Sequence, residues 1–294
     1  MRFSLLRVPL LAALIAVGLA AQATVKPPLV TNEAWTRAFP PFRMVGNLYY
    51  VGTYDLASYL ITTTDGHILT NTGVASSVPM IRSSIESLGF RLADIKILLA
   101  THGHWDHVAG MAEIKRLTGA RMLMHEGDVA ILEDGGNSDF RFGGNGSSYE
   151  PVRVDGRLKD GDKIPLADTE ITVHHHPGHT KGASSFTFTT RDEHRSYRVL
   201  IVNMGSINQG VRLTGTPSYP SIAQDYARTF AAQKQLPSDV WMASHAGQFG
   251  LHDKHKPGDA YNPNRFVDPA GYAQRVQRLE QLYLDQLQQE RQGK

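Results

Sequence analysis

The sequence predicts an α/β fold made of two β-rich halves that carry helices on their outer sides and pack face to face. Three observations predict it. Short runs of β-branched and aromatic residues alternate with segments of helical spacing, in the order hairpins, βα units, further hairpins, then helix. No stretch rich in Gly, Ser or Pro separates the halves into independent domains, and no internal repeat is present. The densest polar cluster, His102-Gly103-His104-Trp105-Asp106-His107, directly follows the apolar run Ile95-Lys96-Ile97-Leu98-Leu99-Ala100. That places it where a strand ends and a helix begins, the edge at which α/β sheets build ligand sites.

The elements follow in order. After a lead containing Pro27, Pro28, Pro40 and Pro41, residues 48–51 and 58–63 read as strands, and Asp65-Gly66 turns the chain into a third over 67–70. Ile81, Ile85 and Leu88 recur at helical spacing, and Gly89 sits where a C-terminal cap belongs. The run 95–100 is a buried strand, and Val108, Met111, Ala112 and Leu117 predict a helix over 108–117. A short strand is expected near 122–124. Residues 134–149 form a Gly-, Asn- and Ser-rich loop, in which Phe140 and Phe142 serve either as a flap over a site or as surface anchors. A second β series covers 164–166, 169–174, 184–189 and 197–202. Then come a helix over 221–236, a strand at 240–242, and a last helix opening at Asp268-Pro269 with Tyr272, Val276, Leu279, Tyr283 and Leu287 on its apolar face.

Composition narrows the classes of function. Arg2 and Arg7, the apolar stretch 5–20 and Ala21-Gln22-Ala23 read as a secretory signal peptide over residues 1–23, and its apolar stretch is too short for a membrane anchor. Export to the periplasm follows, with 24–294 as one domain. Removal of the signal leaves 28 of the 30 basic residues against 28 acidic ones, so the charge predicts no nucleic-acid partner. No later segment is apolar enough to span a bilayer, and a monomer is expected. Cysteine is absent, so any metal site must use imidazole and carboxylate.

Thirteen histidines are distributed unevenly. His102 and His104 are two apart on an extended segment and point the same way. Asp106 and His107 follow after the chain turns, so one pair suits one metal and the next pair a second. His176-Pro177-Gly178-His179-Thr180 and Ser244-His245-Ala246-Gly247 also follow strands, which allows all three stretches to converge. Plain structural roles compete. Asp106 can serve as a helix cap, and His67, His125, His194, His252 and His255 read as surface or locally bonded residues. His174, His175 and His176 are assigned no ligand role.

The pattern His102-x-His104-x-Asp106-His107, with Pro177-Gly178-His179-Thr180 and the late Ser244-His245, resembles the metallo-β-lactamase superfamily over essentially the whole mature chain. It is most similar to the cysteine-free subclass of zinc metallo-β-lactamases. The resemblance implies a four-layer αββα sandwich and two Zn2+ per chain: His102, His104 and His179 on the first zinc, Asp106, His107 and His245 on the second. Many other superfamily hydrolases carry a metal-bridging Asp after a late strand. The matching stretch here, Asn203-Met204-Gly205-Ser206-Ile207, has no carboxylate. Asn71 stands where relatives often have Asp, which bears on the support of the site.

The resemblance further implies opening of a β-lactam ring by water activated between the zinc ions, with Asp106 orienting the nucleophile. No serine nucleophile is expected, and no Ser-x-x-Lys occurs. Ser206, Asn208 and Lys181 are the candidate donors to the substrate's carboxylate, and Trp105 is expected to pack under the site. Two alternatives stand beside this reading: another hydrolase on the same fold, acting on a lactone or thioester, and a non-catalytic periplasmic zinc-binding protein.

Overall fold

The computed structural model describes residues 24–293, so the signal-peptide assignment lies outside the described residues. The first sheet has seven strands in sequential order: β1 (Phe42–Val45), β2 (Leu48–Tyr50), β3 (Tyr59–Thr63), β4 (Gly66–Thr70), β5 (Ile95–Leu99), β6 (Arg121–His125) and β7 (Gly156–Leu158). β1 to β4 form an antiparallel meander, and β4 to β7 run parallel. Parallel neighbours need crossovers, and these carry α1 (Val78–Ser87), α2 (Trp105–Val108), α3 (Met111–Thr118) and α4 (Val129–Glu133).

The second sheet contains β8 (Lys163–Leu166), β9 (Thr169–His175), β10 (Ser184–Arg191), β11 (Ser196–Val202) and β12 (Val240–Ala243), ordered β12-β11-β10-β9-β8. Only β12 lies parallel to its neighbour, because α5 (Ile222–Gln233) carries the chain across to it. The short α6 (Leu251–Lys254) and the long α7 (Pro269–Arg291) complete the chain.

Alternation along β5 shows how the layers are built. Ile97 and Leu99 face the second sheet in one core with Val173, Phe186 and Val199, whereas Ile95 and Leu98 face outward. There they meet Ile81 and Ile85 of α1 and Met111 and Ile114 of α3. A strand segment buried on both faces needs apolar residues at successive positions, which accounts for Ile97-Leu98-Leu99, while Lys96 near the start of the strand is exposed. Tyr226 and Phe230 of α5, with Val276 and Tyr283 of α7, cover the far side of the second sheet. The result is the expected order helix, sheet, sheet, helix. Asp268 caps α7 by accepting from the Gly271 amide at 2.9 Å, and Gly89 follows α1 at φ +87°, as a left-handed cap requires.

Several local expectations need correction. The helix expected over 108–117 is two helices, α2 and α3, with a break at Gly110. The His107 carbonyl accepts from the Thr72 amide at 2.7 Å, which takes it from the Met111 amide. A Cβ at Gly110 would lie 2.8 Å from Val78 Cγ2, so the break packs tightly against α1. β1 and β7 were not anticipated; β1 follows two prolines and β7 is a three-residue edge strand. The helix over 221–236 is shorter, as Ile222–Gln233.

Candidate metal centre

Three loops at the C-terminal ends of β5, β9 and β12 meet in one cleft of about 260 Å³. The first brings His102 in the bend after β5 and His104 on extended backbone, then Asp106 and His107 on the first turn of α2. His104, not Asp106, occupies the helix-cap position, which disposes of the capping role for Asp106. The second loop brings His179 and the third His245.

Donor atoms of His102, His104 and His179 lie within 4.8 Å of one another, as do those of His102, Asp106 and His107. His245 closes the second group: its Nε2 is 3.5 Å from Asp106 Oδ2, and His107 Nε2 is 3.1 Å from the same oxygen. His102 therefore belongs to the geometry of both groups. All of these rings pack against one another at centroid separations of 4.4 to 4.9 Å.

This arrangement fits a metal. His102 Nε2 is buried without a hydrogen-bond partner, a costly state for an imidazole unless a cation takes the lone pair. Five imidazoles and one carboxylate, with no thiolate, form a donor set suited to zinc. Protonation favours ligation as well. Burial, reinforced by the neighbouring His107, holds His102 well below the ordinary histidine range, and burial with His104 brings His179 down to about 3. Burial alone would raise Asp106, but the rings of His107 and His245 hold it well below the usual carboxylate range. Burial also opposes charge on His245, yet its hydrogen bonds to Asp106 and Asp55 raise it to about 9. An arriving cation must displace that proton.

A set of polar residues holds the donors in place. Asp55 accepts from His245 Nδ1 at 3.0 Å, from Trp35 Nε1 at 3.2 Å and from the Gly247 amide at 3.1 Å. His179 Nδ1 donates to the Ser206 carbonyl at 2.8 Å, which also accepts from the Tyr226 hydroxyl at 3.0 Å. The fully buried Asp128 accepts from the Gly103 amide at 2.9 Å and from Thr180 Oγ1 and the Gly182 amide, both at 2.6 Å. It thus ties the first ligand loop to the second. Asn71, at φ +59°, accepts from the Thr101 amide at 3.0 Å, and Thr101 Oγ1 lies 3.2 Å from His102 Nδ1. Asn71 therefore acts on the backbone that precedes the ligands. Asp55 and Asp128 were not anticipated, because a lone acid in a loop carries no local pattern.

The remaining candidates separate clearly. Ser206 and Asn208 line the cleft; Lys181 is not among the lining residues and sits 5.6 Å from the Tyr219 ring. Trp105 forms part of the cleft wall, edge-on to Trp35 at 5.5 Å, where packing beneath the site was expected. Phe142 also lines the cleft, and Phe140 packs on Tyr219 at 5.0 Å. None of His67, His125, His194, His252 and His255 lines it, although His67, His125 and His255 are buried. His174, His175 and His176 bond instead to Thr187, the Lys181 carbonyl and Ser185.

A two-sheet sandwich with histidine-rich strand-end loops defines a class of metal-dependent hydrolases, and the comparisons agree with it. Residues 53–192 match the model of the metallo-β-lactamase superfamily. The structure superposes on the class B3 di-zinc metallo-β-lactamase LRA-12 from an Alaskan soil metagenome with a TM-score of 0.88 and 52% identity, covering 90% of this chain and all of that one. GOB-18 of Elizabethkingia meningoseptica gives 0.89 and 49%, covering 92% of this chain and all of that one. The chain belongs to the metallo-β-lactamase superfamily. It is closely similar in structure to zinc metallo-β-lactamases, which are hydrolases. A hydroxyacylglutathione hydrolase of Pseudomonas aeruginosa is 36% identical over 93 residues, 32% of this chain and 27% of that one. The chain spans less than half the length of such sequence relatives, 44% in the case of an uncharacterised protein of Mycobacterium tuberculosis. Among the described residues no helix is long and apolar enough to cross a membrane.

Proposed function

We propose that this chain is a β-lactamase that opens penicillins, cephalosporins or carbapenems with two zinc ions, exported to the periplasm as a monomer and conferring antibiotic resistance. His102, His104 and His179 hold one ion, and Asp106, His107 and His245 hold the other. The observation that carries the reading is the donor set of five imidazoles and one carboxylate together with Asn203. That residue lines the cleft just after β11, where other superfamily hydrolases place a bridging carboxylate. An amide cannot bridge two cations as a carboxylate does, and the donor set without it is the one the cysteine-free lactamases use. The extent of similarity to a class B3 di-zinc enzyme supports the same assignment.

Two bound zinc ions supply Lewis acidity and water of lowered pKa. The protein's own groups do the rest. Asp106 stays ionised in this setting and orients the attacking water by accepting its proton in a hydrogen bond. Ser206 and Asn208 face the cleft as neutral donors to the substrate's carboxylate, and Trp35, Trp105 and Phe142 provide apolar wall that excludes bulk water.

Purified protein is expected to hold close to two zinc per chain and to hydrolyse a chromogenic cephalosporin, with EDTA abolishing the activity. Full metal content without turnover of any penicillin, cephalosporin or carbapenem refutes the substrate assignment. The similarity to hydroxyacylglutathione hydrolase favours a second reading, thioester or lactone hydrolysis, and a higher rate on such substrates than on lactams decides for it. His179→Ala and His245→Ala test a purely zinc-storing role: a store loses only stoichiometry, whereas a catalyst loses rate steeply.

A further inference from the structure

The loop that follows α4 reaches back over the cleft, and one of its side chains meets a candidate ligand. Asp139 is buried, and its Oδ1 accepts from the amides of Arg141 at 2.8 Å and Phe142 at 2.6 Å. This shapes the turn that carries Phe142 to within 5.0 Å of the His104 ring. The other oxygen, Oδ2, lies 3.3 Å from His104 Nε2. The contact falls short of an aligned hydrogen bond, yet both atoms are buried and neither has another partner. Two buried polar atoms without other protein partners face each other at this distance, and each is the nearest means of satisfying the other.

The same loop is tied to the opposite side of the cleft. Arg141 Nε donates to the Gln209 carbonyl at 2.7 Å, next to Asn208. A neutral imidazole has one N–H and one lone pair. With Nε2–H directed at Asp139, the lone pair falls on Nδ1, free for a cation shared with His102 and His179.

We propose that Asp139 is a positioning residue that fixes the tautomer and orientation of His104 and thereby couples closure of the 134–149 loop to metal loading. The role rests on the two-zinc reading above, and it concerns metal affinity and loop order rather than the substrate. Asp139→Asn is the discriminating variant. It keeps one oxygen for the two turn amides but presents an N–H to Nε2, which the ring can accept only by moving its proton to Nδ1 and losing the ligand lone pair.

Competition with a chromogenic chelator should show one of the two zinc affinities falling about 10- to 100-fold in Asp139→Asn, and amide exchange over residues 134–149 should quicken. Wild-type affinity at both sites in a folded variant overturns the proposal. Histidine 15N spectra of the zinc-loaded wild type give a second test that needs no variant: a proton on His104 Nε2 is expected, and one on Nδ1 overturns it. Wild-type protein that turns over no β-lactam, while Asp139→Asn still weakens zinc binding, refutes the proposed substrate and upholds the role of Asp139.

Discussion

Asp128 ties together two of the loops that carry the candidate metal donors. Three donors from two ligand loops converge on its carboxylate, and water has no route to replace it. Burial pushes its carboxyl up from the usual range against the pull of those donors. Asp128→Ala leaves the Gly103 amide, the Thr180 hydroxyl and the Gly182 amide unsatisfied. At roughly 1–3 kcal/mol for each stranded group, a loss of at least about 3 kcal/mol is expected in urea unfolding. His176 supplies a pH prediction. Ser185 and Gln233 bond to its Nδ1, and burial, with His174 beside it, lowers it to about 3. The unfolded ring takes its proton near 6.5. The stability contributed by the neutral ring is therefore complete above that pH and is lost as pH falls toward 3. The slope for one such group reaches about 1.4 kcal/mol per pH unit. Urea midpoints of the wild type should fall more steeply than those of His176→Asn between pH 6.5 and 4, and parallel curves would contradict the assignment. At this scale four of the six candidate donors, His102, His104, Asp106 and His107, were legible as a cluster, whereas His179 and His245 stand far from it in the chain. Asp55, Asp128 and Asp139 were not legible, since each acts on a segment remote in sequence.

Elements were legible where one periodicity ruled. β5, β10 and β11 are apolar on alternate or successive positions, and α7 announces itself through Asp268 and Pro269. Where a tertiary contact intervened, local pattern failed: the helix at 108–117 breaks because Thr72 captures a carbonyl that the helix needs. The loop bearing His179 is similarly constrained. Gly178 has φ +132°, and a Cβ there would stand 2.8 Å from the Tyr226 ring. Tyr226 shares the Ser206 carbonyl with His179 Nδ1, so displacement of the ring shifts this candidate ligand. Gly178→Ala should cost about 2 kcal/mol from overpacking and backbone strain. Zinc titration of the variant should show a weakened site, and unchanged affinity would mean that the loop absorbs the methyl group without moving His179.

For the molecule as a whole, the two sheets supply stability and the metals are expected to add to it. On the proposed two-zinc reading the native protein offers preassembled donor loops to the metal, and unfolded chain offers only scattered histidines. At free zinc 100-fold above Kd, each site should add about 2.7 kcal/mol to unfolding. In zinc-buffered thermal scans, Tm should rise with zinc and fall in EDTA while far-ultraviolet dichroism at 25 °C stays unchanged. Collapse of the secondary structure on chelation would show instead that the fold depends on metal.

The sequence by itself determined the donor types, their grouping before α2, the exclusion of thiolate, and the succession of strands and helices. These depend on residue chemistry and on backbone periods of a few residues. The tertiary structure alone decided that His179 and His245 reach the same cleft, that His102 borders both donor groups, and that Lys181 stays out of it. It also decided which acids support the candidate donors, Asp55 at His245 and the buried Asp128 between two loops. Convergence of that kind depends on how two sheets pack through a common core, and no local pattern records which distant loops the packing brings together.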